Sequence, residues 1–230
     1  MDKKEYDVTK YDRPSLTVDI VLFSIKNNCL NILLIKRKEV PFKDFWALPG
    51  GFVKINESLE DAAKRELIEE TNIKDVYLEQ LYTFGNLNRD PRTRVITVSY
   101  FALMSSKDLG NIKIKPSTDA SEVQWFDTFN LPKLAFDHKN IVEYGIKRLR
   151  WKLEYTTIGF KLLPENFTLT ELQMIYEIAF HKKFDKRNFR KKILSLNLIE
   201  ETKEKTKDVS HRPAKLYSFK KKIGDIIEII

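Results

Sequence analysis

GGFVKINESLEDAAKRELIEETNI, residues 50–73, is the stretch that decides the fold. A helix is expected over 58–71, and on it Glu66, Glu69 and Glu70 stand at i, i+3 and i+4. This spacing puts three carboxylates on one helix face, about 5–6 Å apart. Carboxylates so close repel one another, and a hard divalent cation such as Mg²⁺ or Mn²⁺ relieves the repulsion while leaving positions for water and phosphate. A solvated acidic helix is the alternative for three glutamates taken alone.

The spacing of the whole stretch resembles the Nudix box, in which a glycine, a glutamate and an Arg-Glu-aliphatic-x-Glu-Glu run recur at fixed intervals. The matching positions are Gly51, Glu57, Arg65, Glu66, Glu69, Glu70 and Ile73. Asn72 stands where the family has glycine, and Asn is the usual substitute for glycine in a left-handed helix cap.

The resemblance implies a Nudix α/β/α sandwich that hydrolyses a nucleoside diphosphate linked to another group. It assigns the metal to the backbone of Gly51 and to Glu66, Glu69 and Glu70. The catalytic residues that it implies are Glu57, Arg65, Glu66, Glu69 and Glu70, with Glu57 and Arg65 orienting the helix. The position of the general base stays open.

The first 130 residues are mostly strand patterns rich in Val, Ile and Leu. The predicted strands are 16–25, 30–36, 76–84, 95–104 and 123–126. The box helix and a longer helix over about 140–154 interrupt them, and Asp137 is expected to cap the longer one. Mixed strands with few helices predict an α+β fold.

Net charge divides the chain. Lys and Arg total 41 against 33 Asp and Glu, a net charge of +8. Residues 1–149 carry only +1 of this charge, and residues 150–230 carry +7. Such an excess is typical of a part that meets a polyanion, although a solvated basic surface would have the same composition. The change predicts a Nudix domain over 1–154 and a second domain over 155–230.

The second domain has the layout of a winged helix. Thr168 and Glu171 form a capping box at one helix start, and Asp185 caps the next helix. Two strand patterns, 198–201 and 216–219, follow. This order predicts a winged helix-turn-helix that binds double-stranded operator DNA, as a homodimer with its two helices one DNA turn apart. The residues expected to contact DNA are Lys186, Arg187, Arg190, Lys191, Arg212 and Lys215.

Arg89, Arg92 and Arg94 lead into the fourth strand pattern. Arginine recognises phosphate bidentately, so this loop is predicted to bind the phosphoribose end of a nucleotide-sugar or dinucleotide substrate. A basic turn between strands is the alternative. The stretch 88–97 also resembles the loop of Nudix domains that act on, or sense, ADP-ribose.

Three further stretches resemble the Nudix-related transcriptional regulators (NrtR), namely 134–138, 185–190 and 212–217. In that family a Nudix-like domain senses a small ligand, typically ADP-ribose, and a winged helix binds operator DNA. The resemblance implies an Mg²⁺-dependent ADP-ribose pyrophosphatase, producing AMP and ribose 5-phosphate, that also acts in transcription. The alternative is a non-catalytic regulator that senses ADP-ribose or a sugar such as arabinose, because many family members have degraded boxes. This box keeps every acidic position.

Composition excludes other classes. The chain is 42% apolar and 12% aromatic, enough for a sizeable core, which excludes intrinsic disorder. No apolar run approaches the ~18 residues of a membrane span, and no signal-peptide pattern is present, so a cytoplasmic protein is expected. The single cysteine, Cys29, excludes a disulfide framework and a cysteine-rich zinc site.

Overall fold

The computed structural model of the protein describes residues 7–110, 120–206, 213–220 and 229. The strands of the first sheet are β1 (Ser15–Lys26), β2 (Cys29–Arg37), β3 (Trp46–Ala47), β4 (Gly50–Phe52), β5 (Tyr77–Phe84), β6 (Val95–Leu103) and β7 (Ala120–Asp127). The helices are α1 (Leu59–Thr71), α2 (His138–Tyr155), α3 (Leu169–Phe180) and α4 (Lys186–Ser195). The second sheet contains β8 (Asn166–Phe167), β9 (Ile199–Lys205) and β10 (Lys215–Phe219). Short 3₁₀ helices occupy Val8–Lys10, Asp108–Gly110 and Thr157–Leu162.

Strand β1 is the centre of the first sheet because both of its faces are apolar and buried. Its neighbours run in the order β3-β2-β1-β6-β5, with β6 parallel to β1. Ile20 and Leu22 point into a cluster with Leu67 of α1, whereas Val21 and Phe23 pack in a cluster with α2. Helices therefore cover both faces of a mixed sheet, and the predicted α/β/α sandwich is confirmed.

Strands β1 and β2 diverge next to the box. Strands β1 and β2 pair only between 23–26 and 29–32. Beyond that point β3 pairs with β2, and β4 pairs with β1 at 17–19. Strands β3 and β4 were not predicted, since two or three residues carry no readable alternation. Strand β4 contains Gly50 and Gly51 and places them in the gap between the diverging strands.

The second unit is the predicted winged helix with one more strand. Thr168 and Glu171 make both bonds of the capping box, and Asp185 accepts from the Asn188 N–H at 2.8 Å. The sheet has the order β8-β10-β9, so β8 adds a third strand to the expected two-stranded ribbon. Phe189 and Ile193 are the buried residues of α4, and its other side faces solvent.

One apolar core runs through both units. It joins Leu149 and Leu153 of α2 to Leu172 and Tyr176 of α3. A Cβ added at Gly159 would come within 2.6 Å of the Leu153 side chain, so the connection between the units is closely packed. The predicted boundary at 154/155 falls at the end of α2 and stays a prediction.

Of two caps predicted at helix ends, one is confirmed and one is wrong. Asn72 ends α1 in the left-handed region, with φ 60°, as its place in the box predicted. Asp137 is the N-cap residue of α2, but its side chain makes no capping bond. The prediction that it caps this helix is wrong in that respect, because its carboxylate binds Arg89 instead.

No helix in the described ranges combines the length and apolar character that crossing a bilayer requires.

Two substitutions of Tyr176 distinguish how side-chain volume and the hydroxyl group each affect stability in the shared core. Its ring is fully buried, and its hydroxyl has no hydrogen-bond partner among the described residues. We expect Tyr176→Phe to raise the free energy of unfolding by about 1 kcal/mol, because it removes an unsatisfied polar group. Tyr176→Ala should lower it by about 3–5 kcal/mol, because it leaves a cavity. Urea unfolding of the full chain measures both values, and a Phe variant less stable than wild type would contradict the assignment.

Candidate functional site

Strand β4 brings the box glycines against the box glutamates. A Cβ added at Gly51 would overlap the Glu66 carboxylate, and one at Gly50 would overlap the carbonyl of Val18. Only glycine allows the strand so close an approach. The Gly50 N–H donates to Glu70 Oε2 over 2.8 Å. Glu66 and Glu70 are consequently buried beside the backbone of β4.

Arg65 connects the carboxylates of the box. Its guanidinium forms a bidentate pair with Glu57, at 2.9 and 2.6 Å. It also donates to Glu66 Oε1 at 2.6 Å and to Glu69 Oε2 at 3.1 Å. The hydrogen bonds from Arg65 lower the pKa of Glu57 to about 2, whereas burial raises the pKa of Glu66. The contacts expected of Glu57 and Arg65 are present, and their catalytic role stays a prediction.

The three box glutamates have different surroundings. Glu66 and Glu70 are buried, but the Glu69 side chain is 54% exposed and directed to Arg65. Within the described part of the chain, no three His, Cys, Asp or Glu side chains are grouped to hold a metal ion. The donor chemistry still fits a hard cation, because carboxylate oxygens lie against the backbone at Gly51. The metal assignment to this glycine and the three glutamates stays a prediction.

A cavity of about 290 Å³ opens beside the glycines. Besides Gly50, Gly51 and Glu70, its lining includes Arg37, Arg89, Arg92, Phe52, Phe136 and His138. Guanidinium groups and aromatic rings around one small cavity are suited to an anion attached to a planar group.

The three predicted loop arginines have different positions. Arg92 lines the cavity, pairs with both oxygens of Asp90 at 3.0 and 2.7 Å, and lies over the Phe52 ring. Arg89 also lines the cavity, but its side chain is only 4% exposed. Arg94 is outside the lining and donates to the carbonyl of Asn86 at 3.0 Å. The structure therefore brings two of the three together, and their binding role stays a prediction.

Arg37 and Phe136 are among the cavity-lining residues that were not predicted from the sequence. The Arg37 guanidinium lies 4.9 Å from the Phe136 ring, and it donates to the carbonyls of Pro41 and Glu39. Phe136 has φ 49°, an uncommon conformation for a bulky residue. Such backbone conformations cluster at binding sites. The only available signal was the NrtR-like stretch 134–138, which gave no reason to connect Phe136 with Arg37.

A buried ion-pair network forms the inner wall of the cavity. Arg89 binds both carboxylate oxygens of Asp137, at 3.1 and 2.8 Å, and Asp19 Oδ2 at 3.2 Å. His138 accepts from the Leu48 N–H through Nδ1 at 2.9 Å, and its Nε2 is 3.5 Å from Asp19 Oδ1. Burial lowers the pKa of His138, so the ring is neutral at pH 7. The network ties β1 to the first residues of α2.

Helix α4 carries the predicted DNA-binding residues at different exposures. Lys186, Arg187 and Lys191 are exposed. Arg190 is half-buried and donates to Thr170 Oγ1, at the start of α3, over 3.2 Å. The exposed face of α4 is therefore basic, and Arg190 also connects α4 to the start of α3.

The ribbon carries the other two predicted contacts. Lys215 pairs with Glu201 Oε2 across the ribbon at 2.8 Å. Arg212 lies outside the described residues. Both assignments to DNA stay predictions.

Two family descriptions match adjoining parts of the chain. A NUDIX domain matches residues 13–144, and an NrtR DNA-binding winged helix domain matches residues 159–219. A protein of Acinetobacter baylyi, named ADPR responsive transcriptional repressor NtrR, is 41% identical over 94% of this chain and 86% of its own length. The chain belongs to the NrtR family of Nudix proteins.

Two further relatives are similar to this NrtR-family chain, one in the structure of most of the chain and one in sequence over about its first two thirds. The crystal structure of Shewanella oneidensis NrtR complexed with a 27mer DNA has a TM-score of 0.77 and 37% identity, over 89% of this chain and 93% of that one. An ADP-ribose pyrophosphatase of Methanocaldococcus jannaschii is 40% identical over 65% of this chain and 83% of its own length. The predicted fold class and the resemblance to NrtR are confirmed.

His138 should make stability depend on pH. The unfolded chain protonates this histidine below its ordinary pKa of about 6.5, while the folded chain binds the proton only at lower pH. The unfolded state then binds more protons, so stability should fall as pH decreases from 7 to 5. Protonated Nδ1 could not accept from Leu48. We expect His138→Gln, which keeps an acceptor, to lose less stability over this range than wild type.

Denaturant unfolding at each pH measures the difference between wild type and variant. The control is His181→Asn, which changes an exposed histidine in a left-handed cap that Asn tolerates. An identical pH dependence in wild type and His138→Gln would contradict the assignment.

Proposed function

We propose that this chain is an ADP-ribose-responsive transcriptional regulator. The Nudix cavity would bind ADP-ribose, and the winged helix would bind duplex DNA as a homodimer. The observation that carries the proposal is a cavity walled by guanidinium groups and aromatic rings, connected through one core to a basic recognition helix. The Acinetobacter relative named for its response to ADPR supports this ligand.

The cavity supplies complementary groups for each part of ADP-ribose. Arg37 and Arg92 offer guanidinium donors, and a diphosphate accepts such donors bidentately. Phe52 and Phe136 offer faces on which the planar base can stack. The backbone of Gly50 and Gly51 also lines the cavity, so a diphosphate bound there would lie next to the box.

Hydrolysis of the ligand is the second candidate, because the box is complete in its acidic residues. Mg²⁺ or Mn²⁺ would be held by Glu66, Glu69 and Glu70 with the backbone of Gly51. Such an ion neutralises a diphosphate and makes a bound water more acidic. The ion pairs of Arg65 with Glu57 and Glu66 hold the carboxylates in place.

If the box is catalytic, Glu70→Gln should reduce kcat for ADP-ribose at least about 100-fold, the scale on which loss of one charge-stabilising group acts. The amide keeps an oxygen that can accept from Gly50, so the fold should persist. Release of AMP in the presence of Mg²⁺ measures turnover, and calorimetry measures ADP-ribose affinity. The matched control is Glu60→Gln, an exposed position on the same helix.

The two results separate catalysis from sensing. Wild-type turnover that survives in Glu70→Gln would exclude the box as the catalytic centre. Tight binding of ADP-ribose without turnover in wild type would leave the chain a sensor only. A wild-type chain that does not bind ADP-ribose would refute the proposed ligand.

Binding of DNA should depend on the exposed basic face of α4. Arg187→Ala and Lys191→Ala should each reduce the slope of log affinity against log salt by about 0.9, if each contacts a phosphate. The probe is a duplex enriched from a random library by the wild-type full chain. A homodimer would give it two half-sites about 34 Å apart.

Lys147→Ala is the control, since this lysine is exposed on α2. Salt slopes equal to the wild-type value in both α4 variants would remove this helix from the DNA interface. A base contact by Arg190 would instead relax specificity at one position of the probe in Arg190→Ala.

A further inference from the structure

Arg89 lines the cavity and also contacts the residue that precedes α2. Its bidentate contact with Asp137 fixes the residue that precedes this helix. The same guanidinium lines the cavity in which the phosphates of the proposed ligand would lie. One buried side chain therefore contacts both the ligand site and an element that reaches the winged helix.

We propose that the diphosphate of the ligand takes Arg89 from Asp137, and that α2 transmits this exchange to the winged helix through Arg150. The inference rests on the proposed binding of ADP-ribose. It makes Arg89, Asp137 and Arg150 positioning residues that couple the two sites.

Charge favours the exchange. Without ligand, the one guanidinium of Arg89 is shared by two carboxylates, Asp19 and Asp137, beside a neutral His138. A diphosphate that enters this wall repels both carboxylates and offers Arg89 the same fork geometry that a carboxylate offers. Asp137 occupies the fork formed by Nε and Nη2 of Arg89, so a phosphate that takes this fork displaces Asp137.

Asp137 is the carboxylate with another partner within reach. It holds the N-cap position of α2. The His138 and Asn140 N–H groups already donate to the carbonyls of Ala135 and Asp137, which leaves the Lys139 N–H, one of the two that an N-cap side chain can bond. A released Asp137 side chain can turn to cap this group. Asp19 lies in the middle of β1, where pairing with β4 and β6 fixes the backbone, and its other carboxylate oxygen stays beside His138 Nε2.

Helix α2 extends from the exchange to the winged helix. Arg150 lies 13 residues beyond Asp137, roughly 20 Å along the helix. Its Nε–H donates to the carbonyl of Ala179 over 2.7 Å, in the last turn of α3. This carbonyl is among the last four of the helix, which have no partner within it.

Helix α3 passes the displacement to the recognition helix. The Tyr176 ring packs edge-to-face on Phe189 of α4, with centroids 5.4 Å apart. The Gln173 amide donates to the carbonyl of Phe184, in the turn between the two helices, at 3.0 Å. At a distance of 20 Å, a tilt of about 3° moves the contact with α3 by roughly 1 Å. Such a shift changes DNA affinity if the two conformations fit DNA differently.

The test measures coupling in the full chain. DNA affinity is determined with and without saturating ADP-ribose, on the library-enriched duplex, and the ratio is the coupling factor. By analogy with other allosteric proteins, we expect a wild-type factor of about fivefold or more. Calorimetry gives ADP-ribose affinity separately.

Asp137→Asn should imitate the ligand. It removes the competing charge but leaves Arg89 paired with Asp19. We expect ADP-ribose to bind several-fold more tightly, and the ligand-free variant to bind DNA as ligand-saturated wild type does. The matched control, Glu143→Gln, removes an exposed carboxylate from the same helix and should leave both affinities unchanged.

Arg150→Met, which removes every hydrogen-bond donor from this side chain, should interrupt transmission only. ADP-ribose affinity should stay within about twofold of wild type, while the coupling factor falls to nearly one. Arg150→Lys keeps a donor for the Ala179 carbonyl and should restore coupling. Lys147→Gln is the control for loss of a cation from α2.

The outcomes separate this inference from the proposed function. Wild type that does not bind ADP-ribose would overturn both. Normal wild-type coupling that persists in Asp137→Asn and Arg150→Met would overturn the inference alone. Should Asp137→Asn fail to fold, hydrogen exchange of wild type decides: ADP-ribose must change amide protection in the first turn of α2, and unchanged protection there would overturn the inference.

Discussion

The guanidinium of Arg89, buried between Asp19 and Asp137, is the contact on which the arrangement of the Nudix site depends. It holds together β1, the loop before β6 and the start of α2. A buried charge is tolerated only while it is paired, and removing one partner of such a pair costs about 3–5 kcal/mol when the charge is left alone. Two carboxylates make the network tolerant of losing one, because Arg89 keeps the other. A network built in this way can have two states without exposing an unpaired charge to the core.

Helix α2 connects that network to the winged helix outside the Nudix domain. One side of it packs on Val21 and Phe23 of β1, and its C-terminal turns pack on α3. A Cβ at Gly145 would come within 2.8 Å of Val21, so the helix cannot move far from the sheet without loss of packing. Movement is then restricted to small tilts of a rigid element whose far end contacts the winged helix. The shared core thus limits which motions can connect ligand and DNA.

Local signals in the sequence predicted most of the fold. The capping box at Thr168, the cap at Asp185 and the left-handed end of α1 at Asn72 each depend on residues within four positions of one another. The strands of the central sheet were readable because continuous apolar runs identify strands buried on both faces. Strands β3 and β4 were missed, because they exist only through pairing with the diverging ends of β1 and β2.

The site was predictable where a local pattern marked its residues, on the box helix and in the loop that holds Arg89 and Arg92. Three box glutamates and Arg65 follow from spacing on α1, whereas Arg37 and Phe136 are 99 positions apart in the chain and meet only in the fold. Asp137 illustrates the limit, since a residue with every local property of a cap binds Arg89, 48 positions away, instead. Neither hydrophobic periodicity nor helix propensity indicates that a distant partner will replace the local one.

Sensing and hydrolysis make different demands on the same cavity. A sensor needs affinity for the ground state of its ligand, whereas catalysis needs interactions that strengthen only in the transition state. The groups suited to these tasks are different residues here: Arg37, Arg92 and the aromatic rings line the cavity, whereas the carboxylates that contact Arg65 are outside its lining. If the box is catalytic, loss of its carboxylates would end turnover while leaving the arginines and rings of the cavity in place. This separation gives a physical reason why a regulator could lose the carboxylates of its box and keep its ligand.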